Sequence, residues 1–377
     1  MGFELRILFF HKHPPILTNT MGNNYNILVI NPGSTSTKVG LYRDLEPVTE
    51  ITVRHSREEL APYETVFDQY DFRLKVVLDE LAKQGIELEN LNAVIGRGGL
   101  LKPLQSGVYE VTEAIIHDLK NPTMHHASNL GGLLALGIAQ KFGVKAFIAD
   151  PCVTDELQPV ARITGLPGIE RRSIWHALNQ KAIARGYAAK IGKKYEEMNL
   201  IVAHLGGGIT VGAHHLGRVI DVNNGLSGEG PIAPERSGTL PADGWKDLIE
   251  SGKYTSKELD KLLAGKGGLT AHLGTASIPE VVARIKDGDE HAKLILDAMC
   301  YTVGKQIGAM ATVLEGKAEV VILTGGIAYS EYVCNYITKM CSFIAPVVIE
   351  AGENELGALA YNAVAALDGE IVPMKYE

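Results

Sequence analysis

The chain is poor in cysteine, carries no excess of positive charge and lacks a long apolar run, and each shortage excludes a class of protein. Four cysteines in 377 residues, Cys152, Cys300, Cys334 and Cys341, have neither the density of a disulfide scaffold nor the spacing of a zinc site. They read as buried thiols in a reducing cytoplasm. A formal net charge of −8 argues against a general nucleic-acid binder, because affinity for phosphate backbones comes from clustered Lys and Arg. No apolar run reaches the roughly 18 residues that a membrane-spanning helix needs, so no membrane partner is expected. Met1–Thr20 contains a short apolar patch without the charged start and small-residue cleavage site of a signal peptide. Residues 1–23 are expected to be an extension outside the fold, with Met21 as an alternative start.

What is present is an ordinary globular composition, 46% apolar and 21% charged, on a chain long enough to favour two domains. The stretch Ile27–Tyr42, ILVINPGSTSTKVGLY, superficially resembles a P-loop. A P-loop has glycine before its lysine, Ser or Thr after it, and a helix from there. Here Thr37 precedes Lys38 and Val39 follows, and the next residues alternate as a strand does. Strand, Asn-Pro-Gly-Ser turn and strand form a hairpin whose tip carries hydroxyls, an amide and one ammonium.

The same grammar returns in NLIVAHLGGGITVGAHHLGRVID, Asn199–Asp221, which predicts two domains built on one α/β plan by duplication. LNAVIGRGG and VKAFIAD read as parallel strands whose carboxyl ends carry function. His125–Gly143 and Ser173–Gly192 read as helices. Ser173 is the candidate N-cap of the second, and Ile174, Leu178 and Ala182 are its apolar stripe. A long core helix follows, with Gly304 and Gly308 allowing close packing, and then a buried strand, a Gly-Gly turn and another helix. Ser227–Trp245, rich in Gly and Pro, is the longest loop.

Three glycine turns, Pro32–Ser36, Gly206–Gly208 and Gly325–Gly326, each follow a buried strand, and glycine lets backbone N–H groups approach an anion. Two hairpin turns and a later Gly-Gly turn, in this order, resemble the actin, Hsp70 and sugar-kinase superfamily, a duplicated two-domain α/β (ribonuclease H-like) fold that holds ATP. INPGSTSTK, AVIGRGG, HHASN, WHALNQ, VAHLGGGI, PERSGTLP and LTGGIA further resemble the acetate and butyrate kinase family, on its butyrate side, from about Tyr25 to the C-terminus.

The resemblance implies domains 24–150, completed by 352–377, and 151–351. It implies that Asn31, Ser34, Ser36 and Lys38 form the first phosphate loop, His204 with Gly206, Gly207 and Gly208 the second, and Gly325 and Gly326 the adenosine loop. Gly207 stands where the family has asparagine. Arg97 and Arg236 match the two substrate-side arginines, Asp150 the aspartate tied to Mg2+ and catalysis, and His176 the histidine that steadies the transferring phosphoryl group. A substrate-side histidine is matched by His126 or, with the shorter pattern here, His125. Glu355, with Glu353 as the alternative, matches the metal-associated carboxylate.

The implied reaction is reversible, Mg2+-dependent phosphorylation of a short-chain fatty acid, butyrate or a branched acid, by ATP to an acyl phosphate, in a homo-oligomer. An acetate or propionate kinase, a sugar or glycerol kinase and an ATP-switched actin-like binding protein are the rival readings. The residues suit the first. A carboxylate with a pKa of about 4 to 5 is already ionised at neutral pH, so the obstacle is repulsion between anions, which calls for Arg, Lys, His and a divalent cation. His214 and His215 are expected to face solvent from the second hairpin, and His55, His117, His272 and His291 have no assigned role.

Overall fold

The computed structural model describes residues 8–9, 23–122 and 126–377. Twelve strands lie among them: β1 (Leu8–Phe9), β2 (Asn26–Pro32), β3 (Ser36–Arg43), β4 (Glu46–Arg54), β5 (Ala93–Arg97), β6 (Val108–Glu110), β7 (Lys145–Ala149), β8 (Asn199–Leu205), β9 (Ile209–His215), β10 (Arg218–Val222), β11 (Val320–Gly325) and β12 (Val347–Ala351). The described residues form two compact units, an amino-terminal one that ends at Asp155 and is completed by Asn354–Glu377, and a carboxyl-terminal one built on Glu156–Glu353.

The amino-terminal unit holds a six-stranded sheet in the order β4-β3-β2-β5-β7-β6. β2, β3 and β4 form an antiparallel meander, and β5 and β7 join β2 in parallel. The carboxyl-terminal unit repeats this order: β10, β9 and β8 form the meander, β11 and β12 the parallel pair, and β1 runs parallel to β12 at the edge. The echo seen in the sequence is therefore a repeat of topology, with β2 matching β8, β3 matching β9, β5 matching β11 and β7 matching β12.

Ile27–Ile30 are fully buried because β2 has a helix on each face: Asn129–Phe142 packs against β2, β5 and β7, and Glu355–Leu367 against β2 and β5. A strand covered on both sides reads as a continuous apolar run without alternation. The first of these helices sits unusually close to β5. A Cβ on Gly131 would collide with the Arg97 backbone, and one on Gly96 with the Gly131 carbonyl. This contact fixes where Arg97 leaves the strand.

The core of the carboxyl-terminal unit is the helix Glu290–Val313 against β8 and β9. The Asp289 side chain caps it by accepting from the Ala292 amide. Met299, Val303 and Ile307 are fully buried, each contributing about 1.5 to 3 kcal/mol by removal from water. Gly304 packs under Met340 as expected, whereas a Cβ on Gly308 would meet nothing, so close packing requires only the first.

The helix expected from Ser173 runs over Ala177–Lys190, and its N-cap is His176. The Ile174 carbonyl accepts from the Gly225 amide at 2.8 Å, which ties this stretch to the loop after β10 and keeps it outside the helix. Nor has it a single apolar stripe: Ala177 to Ala182 are all buried, Asn179, Gln180 and Lys181 included. Lys181 is neutralised there by Glu156 at 2.9 Å. Among the described residues no helix is long and apolar enough to cross a membrane.

Candidate active site

In the amino-terminal unit, the carboxyl ends of parallel strands place functional groups side by side, as open α/β sheets do. Asn31 lies near the end of β2, Arg97 at the end of β5 and Asp150 directly after β7. Asn31 and Arg97 meet on one oxygen, Glu355 Oε2, at 2.6 and 3.1 Å. Glu355 is thereby the hub of this group. Lys38 is the register partner of Asn31 across the hairpin, so both side chains stand on the same face of the sheet. The Asp150 carboxylate accepts from Ser106 Oγ at 2.6 Å and the Gly107 amide at 2.9 Å. Its backbone has φ +37°, a region tolerated by Asp and often found at functional positions.

The turn Gly33–Ser36 is held from below by Arg73, a residue given no role by the sequence reading. Its guanidinium donates to the carbonyls of Gly33 (2.8 Å), Ser34 (3.0 Å) and Ser36 (3.2 Å), to Thr37 Oγ1 (3.2 Å) and to Gln69 Oε1. Carbonyls engaged with a buried cation no longer repel an anion, and the exposed Ser34 and half-buried Ser36 offer hydroxyls to one. Arg73 is fully buried, and desolvation lowers its pKa to about 10, still far above neutrality. The signal was present: on the helix Tyr70–Lys83, Arg73 shares its buried face with Val77 and Leu81, and a charge on an apolar stripe demands partners. His126 is exposed, its Nδ1 lying 2.8 Å from Ser128 Oγ. His125 lies outside the described residues.

In the carboxyl-terminal unit, His176, His204, the Gly206–Gly208 turn, Arg236 and Glu353 come together. The imidazoles of His176 and His204 stack with centroids 3.8 Å apart and planes 12° from parallel. His204 Nδ1 lies 2.7 Å from Asn179 Oδ1 and its Nε2 3.2 Å from Glu353 Oε1. Glu353 and Glu355 therefore serve different groups: Glu353 the second glycine turn and Glu355 the first. The Arg236 guanidinium lies directly on Gly208, where any Cβ would displace it. It donates to the Gly225 carbonyl and, among the described residues, to no carboxylate. Burial lowers its pKa, opposed by nearby Glu235. A half-buried cation hydrogen-bonded to no carboxylate among the described residues has charge left for a further anion.

Gly325 ends β11 at φ +88°. The chain continues as the single turn Gly326–Tyr329 before the helix Glu331–Cys341 begins, so the Gly-Gly turn is separated from the helix that was expected to follow it directly. Gly326, Ile278, Tyr329, Tyr332, Lys286 and Asn335 line part of a pocket of about 700 Å³, a size suited to a nucleoside. All four cysteines are free thiols, three of them buried.

His214, expected to face solvent, is fully buried between Tyr195 and Gln180, because β9 is covered on both faces and alternation does not apply. His55 is buried as well, at 2.9 Å from Thr37 Oγ1. Burial and then Arg73 hold its pKa down to about 4, while burial, Lys181 and Arg185 hold that of His214 well below the usual value. Both rings are neutral in the folded chain and take up protons on unfolding below about pH 6.5. Their stabilisation is thus complete above that pH and is lost as the pH falls towards about 4. The melting temperature is expected to decline across this window, less steeply in His55→Gln. A flat profile from pH 6.5 to 5 would contradict the assignment.

Duplicated sheets with glycine turns after the matching strands define the class: an actin, Hsp70 and sugar-kinase type (ribonuclease H-like) fold. Residues 167–351 match the model of the acetokinase family. The chain is 55% identical over 345 residues to a probable butyrate kinase of Phocaeicola vulgatus, covering 92% of this chain and 97% of that protein. It is 52% identical over 354 residues to butyrate kinase 1 of Clostridium acetobutylicum, covering 94% of this chain and 100% of that protein. Among solved structures it is similar to the acetate kinase of Porphyromonas gingivalis, at 19% identity and TM-score 0.75 over 91% of this chain and 100% of the other. A propionate kinase of Francisella tularensis gives 17% identity and TM-score 0.72 over 90% and 98%. At such identities these two structures speak for the fold alone. The chain belongs to the acetokinase family, and with it to the phosphotransferases that use a carboxyl group as acceptor.

Proposed function

We propose that this chain phosphorylates butyrate, or a branched acid of similar length, with Mg-ATP to give the acyl phosphate and ADP. The observation that carries the choice of acid is the identity of 55% and 52% to two butyrate kinases over more than nine-tenths of this chain. The acceptor enters as its carboxylate, so no residue has to remove a proton from it. Arg97, Arg236, Lys38 and His176 are assigned to lowering the repulsion between the acceptor and the phosphoryl group. Arg236, whose half-buried guanidinium donates to a carbonyl and to no carboxylate among the described residues, supports this reading most strongly.

The turns at Gly33–Ser36 and Gly206–Gly208 are assigned to the phosphates, and the pocket beside Gly326 to the nucleoside. Asp150 and Glu355 would hold Mg2+. Among the described residues no cluster of three or more His, Cys, Asp or Glu side chains is arranged as a ready cage. That suits Mg2+, which is usually bound by one or two carboxylates together with substrate phosphates and retained waters. When bound, the ion neutralises charge on the phosphates. His126 is kept as a substrate-side group, and the four free thiols suit the reducing cytoplasm assigned to the protein.

Initial-rate kinetics over straight and branched acids of two to five carbons test the choice of acid. The expected result is a kcat/KM for butyrate or isobutyrate at least about tenfold above acetate, the scale that one or two methylenes support in an apolar pocket. A preference for acetate would overturn it.

A further inference from the structure

We infer that Tyr195, His214, Gln180 and Thr210 form a one-directional hydrogen-bond relay that holds His176 as the neutral tautomer with its proton on Nε2. The inference rests on the reading above, in which His176 lowers the repulsion at the phosphoryl group, and gives it the means: an Nε2 proton to donate. It adds four positioning residues to that site.

The direction of the relay follows from an atom that can only accept. Gln180 lies one helical turn beyond His176, and its Nε2 is 3.0 Å from the Thr210 backbone carbonyl and 2.8 Å from Thr210 Oγ1. A carbonyl has no proton to give, so the Gln180 NH2 must face it, and the amide orientation is settled. Two consequences run in opposite directions along the chain of bonds.

Outwards, Gln180 Oε1 is the acceptor facing His214 Nε2 at 3.0 Å, so His214 carries its proton on Nε2. His214 Nδ1 must then accept from the Tyr195 hydroxyl at 2.8 Å. This requires a neutral ring, which complete burial beside Lys181 and Arg185 favours.

Inwards, Thr210 Oγ1 accepts from Gln180 Nε2, and the His176 backbone amide approaches it at 3.5 Å. With two N–H groups directed at its lone pairs, the hydroxyl has its own proton to donate, and His176 Nδ1 lies 2.9 Å away. Nδ1 is therefore an acceptor, and the single proton of a neutral imidazole is left on Nε2. The His204 ring stacked on His176, with centroids 3.8 Å apart, packs against the face of the imidazole and leaves its edge nitrogens to the in-plane bonds. The relay spans helix Ala177–Lys190, strand β9 and Tyr195, and all its members except His176 are fully or almost fully buried.

The test is the ring-nitrogen spectrum of histidine-15N-labelled full-length protein near neutral pH, with the His176 signals identified by their loss in His176→Asn. The expected spectrum has a protonated Nε2 and a bare Nδ1. Thr210→Val, which deletes the donor at nearly constant shape, should give a mixture of tautomers and lower kcat by about a hundredfold, with KM for ATP within about twofold. Thr210→Ser should restore both the spectrum and most of the turnover. Gln180→Glu, whose carboxylate accepts the Thr210 proton, should move the His176 proton to Nδ1.

A wild-type ring protonated on Nδ1, or on both nitrogens, overturns the relay, as does a Thr210→Val protein with unchanged spectrum and kcat. Should Thr210→Val not fold, the wild-type spectrum decides alone. The spectrum needs no activity. A wild-type enzyme that shows the Nε2 proton but makes no acyl phosphate would refute the kinase reading and leave the relay, and an active enzyme with the proton on Nδ1 would refute the relay alone.

Discussion

Arg236→Ala is expected to lower turnover by about a thousandfold or more while moving the melting temperature by only a few degrees. The kinetic part follows from its placement. The guanidinium rests on Gly208 in the second glycine turn and has no carboxylate partner among the described residues. A preorganised cation of this kind is worth about 10² to 10⁵ in rate when charge develops or approaches in the transition state. The stability part follows from the same facts. One carbonyl bond is lost, and the desolvation cost of a half-buried cation disappears with it, two effects of opposite sign. Arg236→Lys keeps the charge but not the planar fork and should fall between. Turnover within about tenfold of wild type in Arg236→Ala would remove the residue from the mechanism.

Arg73→Leu is expected to act the other way, on the fold first. Replacing a buried cation by an apolar side chain can be neutral when its partners leave with it. Here they stay: the carbonyls of Gly33 and Ser34 and the Gln69 amide oxygen lose this donor at once, while the Ser36 carbonyl keeps the Gly33 amide and Thr37 Oγ1 keeps His55. At about 1 to 1.5 kcal/mol for each of the three acceptors stranded out of water, the loss is about 3 to 5 kcal/mol. For a unit of this size that is roughly 10 °C in melting temperature. KM for ATP should rise as well, since the turn that carries Ser34 and Ser36 is no longer held. Calorimetry and initial rates check both, and a variant with wild-type melting temperature and KM would show that Arg73 does not support the turn.

The contrast between these arginines marks what was legible in the sequence. The hairpins β2–β3 and β8–β9 and the parallel strands β5, β7 and β11 were readable because apolar runs bounded by glycine or by Asn-Pro-Gly are local signals. Asn31, Arg97, Asp150 and His204, at or beside strand ends, and Arg236, in a loop rich in Gly and Pro, were singled out by the family motifs they match. Other features depend on partners distant in sequence. Arg73 reaches Gly33 across 40 positions, and Gln180 reaches Thr210 across 30. Ser173 satisfied the local rule for an N-cap, but the bond between Gly225 and Ile174 kept the chain out of the helix there. His214 was placed on the wrong side because a strand buried on both faces has no solvent side. The different partners of Glu353 and Glu355, only two residues apart, are likewise invisible without the strands and helices that present His204 and Arg97.

The central claim is that the phosphoryl acceptor is a carboxylate that enters without losing a proton. Hydroxylamine trapping tests it most directly: purified protein, Mg-ATP and butyrate are incubated with hydroxylamine and the hydroxamate is measured. The account predicts hydroxamate that requires ATP and butyrate together, with a stoichiometric amount of ADP. ADP release that does not depend on any added carboxylate, with no hydroxamate formed, would contradict it.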